Sequence, residues 1–235
     1  MTARTATQAF ADATAALTSG RDVTDVLDRL VRDCADVLGA QAVGLLVMAP
    51  GGDLELLSAT SHQIAELELF QIQHDTGPCI DAIRGGSPVS DDSQDRIRAR
   101  WPRVGAAIIS AGYRSVHAYP LRWRGRTLGA LNTFHTNGEP AGADAGQLGQ
   151  ALADMATVVI VQAGDLTAEQ ITGHVQQALQ ARTVVEQAKG VLAYTRNLDP
   201  AAAYDLLRRL AADHGATITD TATGVIAQAQ NRKRI

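Results

Sequence analysis

Apolar residues recur every three or four positions from Val23 to Leu38: Val23, Val26, Leu27, Leu30, Val31, Cys34, Val37 and Leu38. That spacing predicts one helix with a buried stripe, and Cys34 on it reads as a small core residue. An Ala-rich stretch over 5–19 predicts a helix ahead of it. The period then shortens. Apolar runs over 42–48 and 54–60 flank Pro50-Gly51-Gly52-Asp53, which reads as a hairpin. Residues 62–73 are amphipathic and predict a helix, and 78–83 predict a short helix ended by Gly85-Gly86. Val89 begins a strand that runs into an acidic loop at Asp91-Asp92, and 102–111 predict another helix. Residues 114–123 and 127–134 form a second hairpin around Arg124-Gly125-Arg126, and 143–161 form a long aliphatic helix. Runs of paired strands among helices give an α+β domain, an antiparallel sheet with flanking helices.

Gly164-Asp165 and Thr167 interrupt the pattern, and beyond them the reading is all helix. Residues 168–194 predict one long helix or two abutting ones, stopped at Asn197, which tolerates the left-handed cap position. Asp199-Pro200 supplies an N-cap and a first-turn proline for the next helix, which Gly215 ends. Thr219 is the expected cap of a last helix carrying Ala222, Val225, Ile226 and Ala229 on one side. Two domains follow: 1–164, α+β, and 165–235, a three-helix unit. So small a helical unit has little core of its own. If 143–163 ran on into 168–194, two copies could pair along a coiled-coil seam, so a homodimer is expected.

Composition narrows the function. The net charge is −4, which excludes a uniformly basic nucleic-acid-binding surface. The charge is uneven, however. From Leu166 onward there are 8 Lys and Arg against 6 Asp and Glu; before it there are 13 against 19. An acidic body with a mildly basic C-terminal unit suggests two separate tasks. Cys34 and Cys79 make neither a disulfide framework nor a metal set. No signal-peptide core or membrane-length apolar run is present, so a cytoplasmic protein with no membrane association is expected. No nucleophile–base pair, paired carboxylates, phosphate loop or His/Cys cluster points to catalysis, so neither an enzyme nor a cofactor or metal is expected.

The chemistry concentrates in VVEQAKGVLAY, residues 184–194. Arg182, Lys189 and Arg196 are spaced by seven and fall near one line of the helix. Glu186 stands four after Arg182, a natural helix pair, and Gln187 lies beside the line. Gly190 removes a side chain next to Lys189, although glycine costs a helix roughly 1 kcal/mol against alanine. On the next helix Tyr204 and Arg208 share a face, and Arg209 pairs readily with Asp205. Cations for phosphates, an aromatic ring for stacking and a bare stretch of backbone suit an unpaired RNA base. The same helix also reads as an ordinary solvated face, with Gly190 serving close helix–helix packing and Tyr204 partly in the core.

RTVVEQAKGVL at 182–192, followed by Ala203-Tyr204 and LLRRLA at 206–211, resembles the ANTAR domain. That family binds RNA and acts in transcription antitermination. The first 160 residues look like a GAF domain of the type fused to ANTAR in actinobacteria. The resemblance there rests on TGPCIDA at 76–82, Trp101-Pro102, GYRSVHA at 112–118 and LRWRGRTLGAL at 121–131. It implies a fold of GAF-like α+β domain and three-helix ANTAR-like domain. It also implies a partner, paired RNA stem-loops in a leader transcript, and a possible small-molecule ligand of the GAF-like part. The RNA-binding set is then Arg182, Glu186, Gln187, Ala188, Lys189, Gly190, Tyr194, Arg196, Tyr204, Arg208, Arg209 and Thr217. The chain departs from the family at Ala193, where methionine is usual, at Thr195, where arginine is frequent, and at Ala216-Thr217, where a basic pair is frequent. Arg196 and the tail Arg232-Lys233-Arg234 are available to compensate. In the sensor half, His74, Cys79, Arg84 and His117 are the candidate ligand residues, with Cys79 at a helix start as a possible redox thiol. The rival readings are a small-molecule or redox sensor whose helical tail docks on a protein partner, and a duplex-DNA-binding regulator.

Overall fold

The computed structural model describes residues 4–18, 22–49, 51–137, 143–161 and 168–232. The first part contains α1 (Ala6–Thr18), α2 (Val23–Leu38), β1 (Ala42–Met48), β2 (Leu54–Ala59), α3 (His62–His74), α4 (Pro78–Gly85) and β3 (Val89–Asp91). It continues with α5 (Gln94–Arg100), α6 (Pro102–Ser110), β4 (Ser115–Trp123), β5 (Arg126–His135) and α7 (Ala143–Val161). Three helices complete the chain: α8 (Ala168–Arg196), α9 (Pro200–His214) and α10 (Ile218–Arg232).

The five strands form one antiparallel sheet in the order β2-β1-β5-β4-β3. Alternation along each strand decides which helices cover which face. Val43, Leu45 and Val47 of β1, Tyr119 and Leu121 of β4 and Leu131 of β5 pack under α1, α2 and α7. Their neighbours Ala42, Leu46, Val116, Ala130 and Phe134 pack under α3, α4 and α6. The stripe of α2 is buried as its spacing requires, with Cys34 at 0% exposure. Asp81 of α4 accepts from the Trp101 indole Nε1–H and from Arg100 Nε, each at 3.1 Å. The TGPCIDA and Trp-Pro stretches therefore interlock as a corner on the sheet's second face.

The helix α5 replaces the loop expected after β3. Its segment QDRIRAR buries only Ile97, so it shows no amphipathic period. The helices α7 and α8 are separate and pack on each other, and Val175, Ala178 and Leu179 of α8 enter the same core as α1, α2 and α7. Val175, Ala178 and Leu179, which lie on the stretch considered for a coiled-coil seam, are thus buried against the chain's own sensor core. Gly164, Asp165 and Thr167, with Pro50 of the first turn and Lys233 and Arg234 of the tail, lie outside the described residues.

The C-terminal helices bury a core of Val185, Ala188, Leu192, Ala203, Leu207, Ile218 and Ala222. Asn197 takes the left-handed conformation at φ 50°, Asp199 caps α9 by accepting from Ala202 N at 2.8 Å, and Gly215 ends α9 at φ 60°. The cap of α10 is Thr217, whose hydroxyl accepts from Asp220 N at 3.0 Å, and not Thr219. Among the described residues no helix is long and apolar enough to cross a membrane, and no group of three or more His, Cys, Asp or Glu could hold a metal ion.

Candidate nucleic-acid interface

The packing of α8 divides the sequence-derived set into three groups. Ala188 is fully buried in the three-helix core, so it supports the interface without reaching it. Gln187, Gly190 and Tyr194 are spaced by three and four, share one face of α8 and are exposed. Tyr194 is 89% exposed. A side chain built at Gly190 would meet nothing, so this glycine leaves open surface and serves no helix–helix contact. Arg196, in the last turn of α8, and Arg209 are also exposed. Lys189 lies on the inward side of the strip, its side chain mostly buried on a cleft with Arg182 and Tyr204, and pairs with Glu186, which stands three residues before it. The close ion pair of Glu186 is thus with Lys189, while its charge also acts on Arg182.

The third group turns inward, against the sensor domain. The Arg182 guanidinium donates to the Leu56 carbonyl of β2. Burial lowers its pKa, opposed by the charges of Glu186 and Glu55. Tyr204 is half-buried and lines a cleft together with Asp28 of α2, and burial, then the charge of Asp28, pushes its hydroxyl pKa up. Tyr204 is therefore not the free stacking ring. The exposed aromatic is Tyr194. Arg208 borders a cleft of about 240 Å³ that α1 and α2 line with Asp12, Asp25, Asp28 and Asp33. Its nearest anion is Asp205 at 3.9 Å, where Arg209 was the expected partner. Thr217 is occupied as the helix cap.

Asp25, Asp28 and Arg32 were missed by the sequence reading. Their signal is a second, polar spacing of three and four on α2 beside its apolar stripe. Asp25 accepts from the Ile218 amide at 3.2 Å. Burial raises its pKa to about 6, against the lowering effect of that hydrogen bond.

The four sensor candidates do not converge. His74 Nδ1 lies 3.0 Å from the Phe70 carbonyl. Arg84 is exposed and pairs with Asp75 at 2.5 Å. His117 is buried beside Asp92, 3.4 Å away, and burial lowers its pKa. Cys79 is fully buried under the sheet, and burial and the neighbouring Glu68 push its thiol well above the ordinary range. That is the reverse of an activated thiolate and removes the basis for the redox reading. The buried polar centre of this half is Glu68. Its two oxygens accept from Asn132 Nδ2 at 2.7 and 2.8 Å, and one also accepts from Gln71 Nε2 at 2.8 Å. Gly44 makes room for it, since a Cβ there would lie 2.2 Å from Glu68 Oε1.

Comparison with known proteins adds the family. A model described as ANTAR domain matches residues 173–226, and one described as GAF domain matches residues 20–161. No curated protein matches the chain. Among solved structures, the GAF domain of a phosphoenolpyruvate-protein phosphotransferase from Coxiella burnetii is 15% identical, with a TM-score of 0.52 over 68% of this chain and 95% of that one. The corresponding Acinetobacter domain is 13% identical, with a TM-score of 0.50 over 68% and 96%. The phycoerythrobilin-bound GAF domain of a cyanobacterial phytochrome is 13% identical, with a TM-score of 0.52 over 67% and 94%. At these identities the likeness is one of fold. With residues 20–161 matched over more than half its length, the chain belongs to the GAF domain family, and its three C-terminal helices form an ANTAR domain.

Proposed function

We propose that this chain is an RNA-binding transcription antitermination regulator that engages paired stem-loops in leader transcripts, with its GAF domain as signal input. An ANTAR domain implies RNA binding in antitermination. The observation that carries the reading here is the exposed strip Gln187–Gly190–Tyr194 beside Lys189. Gly190 leaves space against the helix for a loop. The Tyr194 ring offers a base an unobstructed face, Gln187 supplies an amide that both donates and accepts, and Lys189 and Arg196 take phosphates. Arg209, exposed on α9, extends the cationic surface. Two stem-loops match two copies of the chain, and linking two modest sites raises apparent affinity by about 10²–10⁴-fold. Residues 1–164 would then sense and 165–235 would bind.

Fluorescence anisotropy with a labelled two-hairpin RNA tests the strip. Stacking one base is worth about 1–3 kcal/mol, so Tyr194→Ala is expected to weaken binding by about 5- to 150-fold. The melting temperature should not move, because the ring packs on nothing. A Tyr194→Ala chain that binds as tightly as the wild type contradicts this assignment.

A further inference from the structure

Of the inward-turned residues, Tyr204 and Arg208 face the polar flank of α2, and Arg182 is seated beside them on β2. Its apolar stripe, with Leu27, Leu30 and Val31, lies in the sensor core. The opposite flank presents Asp25, Asp28 and Arg32 to the ANTAR domain. Asp28 pairs with Arg32 and lines a cleft together with Tyr204. Asp25 takes the first amide of α10, and a helix N-terminus is a ready site for an anion. A second cleft, of about 190 Å³, separates Asp28, Ser61 and His62 from Arg182, Lys189 and Tyr204.

We propose that α2 of the GAF domain and RNA are alternative occupants of one face of the ANTAR domain, with Asp25 and Asp28 standing where RNA phosphates would go. The inference rests on the RNA-binding reading above and gives that site its regulation. Two physical features carry it. The face beside α2 holds Tyr204 and, at its rim, Arg208, with Arg182 next to them against β2, so an RNA that used these residues together with the exposed strip would collide with α2. Its phosphates would also repel the Asp25 carboxylate, while that of Asp28 is paired with Arg32. The contact itself is polar and flanked by two clefts, unlike the apolar seat of Val175, Ala178 and Leu179 beside it. Polar interfaces between domains of one chain are the ones that open. A signal that loosens α2 against the ANTAR helices would thereby expose the full RNA surface.

The test measures the full-length chain in two ways. RNA affinity is read by anisotropy with intact and loop-scrambled two-hairpin RNA. Opening of the seam is read by hydrogen exchange of the Ile218 amide. The Asp25→Asn/Asp28→Asn variant is expected to exchange faster at Ile218 and to bind intact RNA about tenfold more tightly, as for a chain about nine-tenths closed. Tyr204→Phe removes only the hydroxyl on the cleft shared with Asp28. It is expected to tighten binding in the same direction and covers the case in which the double variant does not fold. Faster exchange with loop-specific binding of unchanged strength overturns the inference and leaves the RNA reading intact. Loss of loop discrimination in the wild type and both variants overturns the RNA reading, and the inference with it.

Discussion

Glu68→Gln is expected to raise the melting temperature of the GAF domain by on the order of 10 °C at pH 8.5 and to leave it nearly unchanged near pH 4.5. Glu68 is fully buried, and desolvation raises its pKa from the ordinary 4.5 to about 8, against the lowering effect of the hydrogen bonds from Asn132 and Gln71. A raised carboxyl pKa means that the folded state holds its proton more tightly than the unfolded chain does. The group's contribution is therefore complete below pH 4.5, falls as pH rises, and is gone above about pH 8. A shift of this size corresponds to about 5 kcal/mol. Glutamine keeps the volume and never ionises. Its oxygen can accept from Asn132 and Gln71, and its amide can donate to Asn132 Oδ1, a buried acceptor that has no partner. The advantage of the variant should therefore grow between pH 5 and 8 and then level off, read as the difference between two thermal melts. A difference independent of pH, or a variant less stable throughout, contradicts this account of Glu68.

Gly190→Leu is expected to move stability and RNA affinity in opposite directions. In the middle of α8 the glycine costs the helix roughly 1 kcal/mol, and a side chain there meets nothing. The folded chain should thus gain stability, by about 2–4 °C in the melt. The same side chain fills the open surface proposed for the RNA loop, between Gln187 and Tyr194. Affinity for the two-hairpin RNA should fall by about tenfold or more, comparable to the loss of a stacked base. Gly190→Ala should show both effects in smaller measure. Any variant in which stability rises and RNA affinity does not fall removes Gly190 from the interface.

Much of the fold was legible because its signals are local. The α2 stripe, the two hairpins and the caps at Asn197, Asp199-Pro200 and Gly215 each depend on a few neighbouring residues. The helix α5 was not legible, since one buried isoleucine gives no period. Thr217 and Thr219 stand two apart with equal capping chemistry. The structure places Thr217 before Ile218, whose amide reaches Asp25 from 193 residues away. The site divides in the same way. Gln187, Lys189 and Gly190 could be placed from helical spacing alone. Which tyrosine is exposed could not, because Tyr204 is half-buried against a domain distant in sequence while Tyr194 is 89% exposed. Glu68 had a faint signal: it falls on the same side of α3 as Ile64, Leu67 and Gln71, opposite a glycine in β1.

The central claim is that the ANTAR helices read RNA loops. Anisotropy of the wild-type chain with a two-hairpin RNA, against the same RNA with scrambled loops and against Lys189→Ala, tests it at two salt concentrations. The account predicts tight binding of the intact RNA, lost with scrambled loops, weakened by Lys189→Ala and weakened again as salt rises, since several phosphate contacts release counterions. Equal binding of intact and scrambled loops, with Lys189→Ala indistinguishable from the wild type, would contradict it and make the exposed strip of α8 a docking surface for a protein.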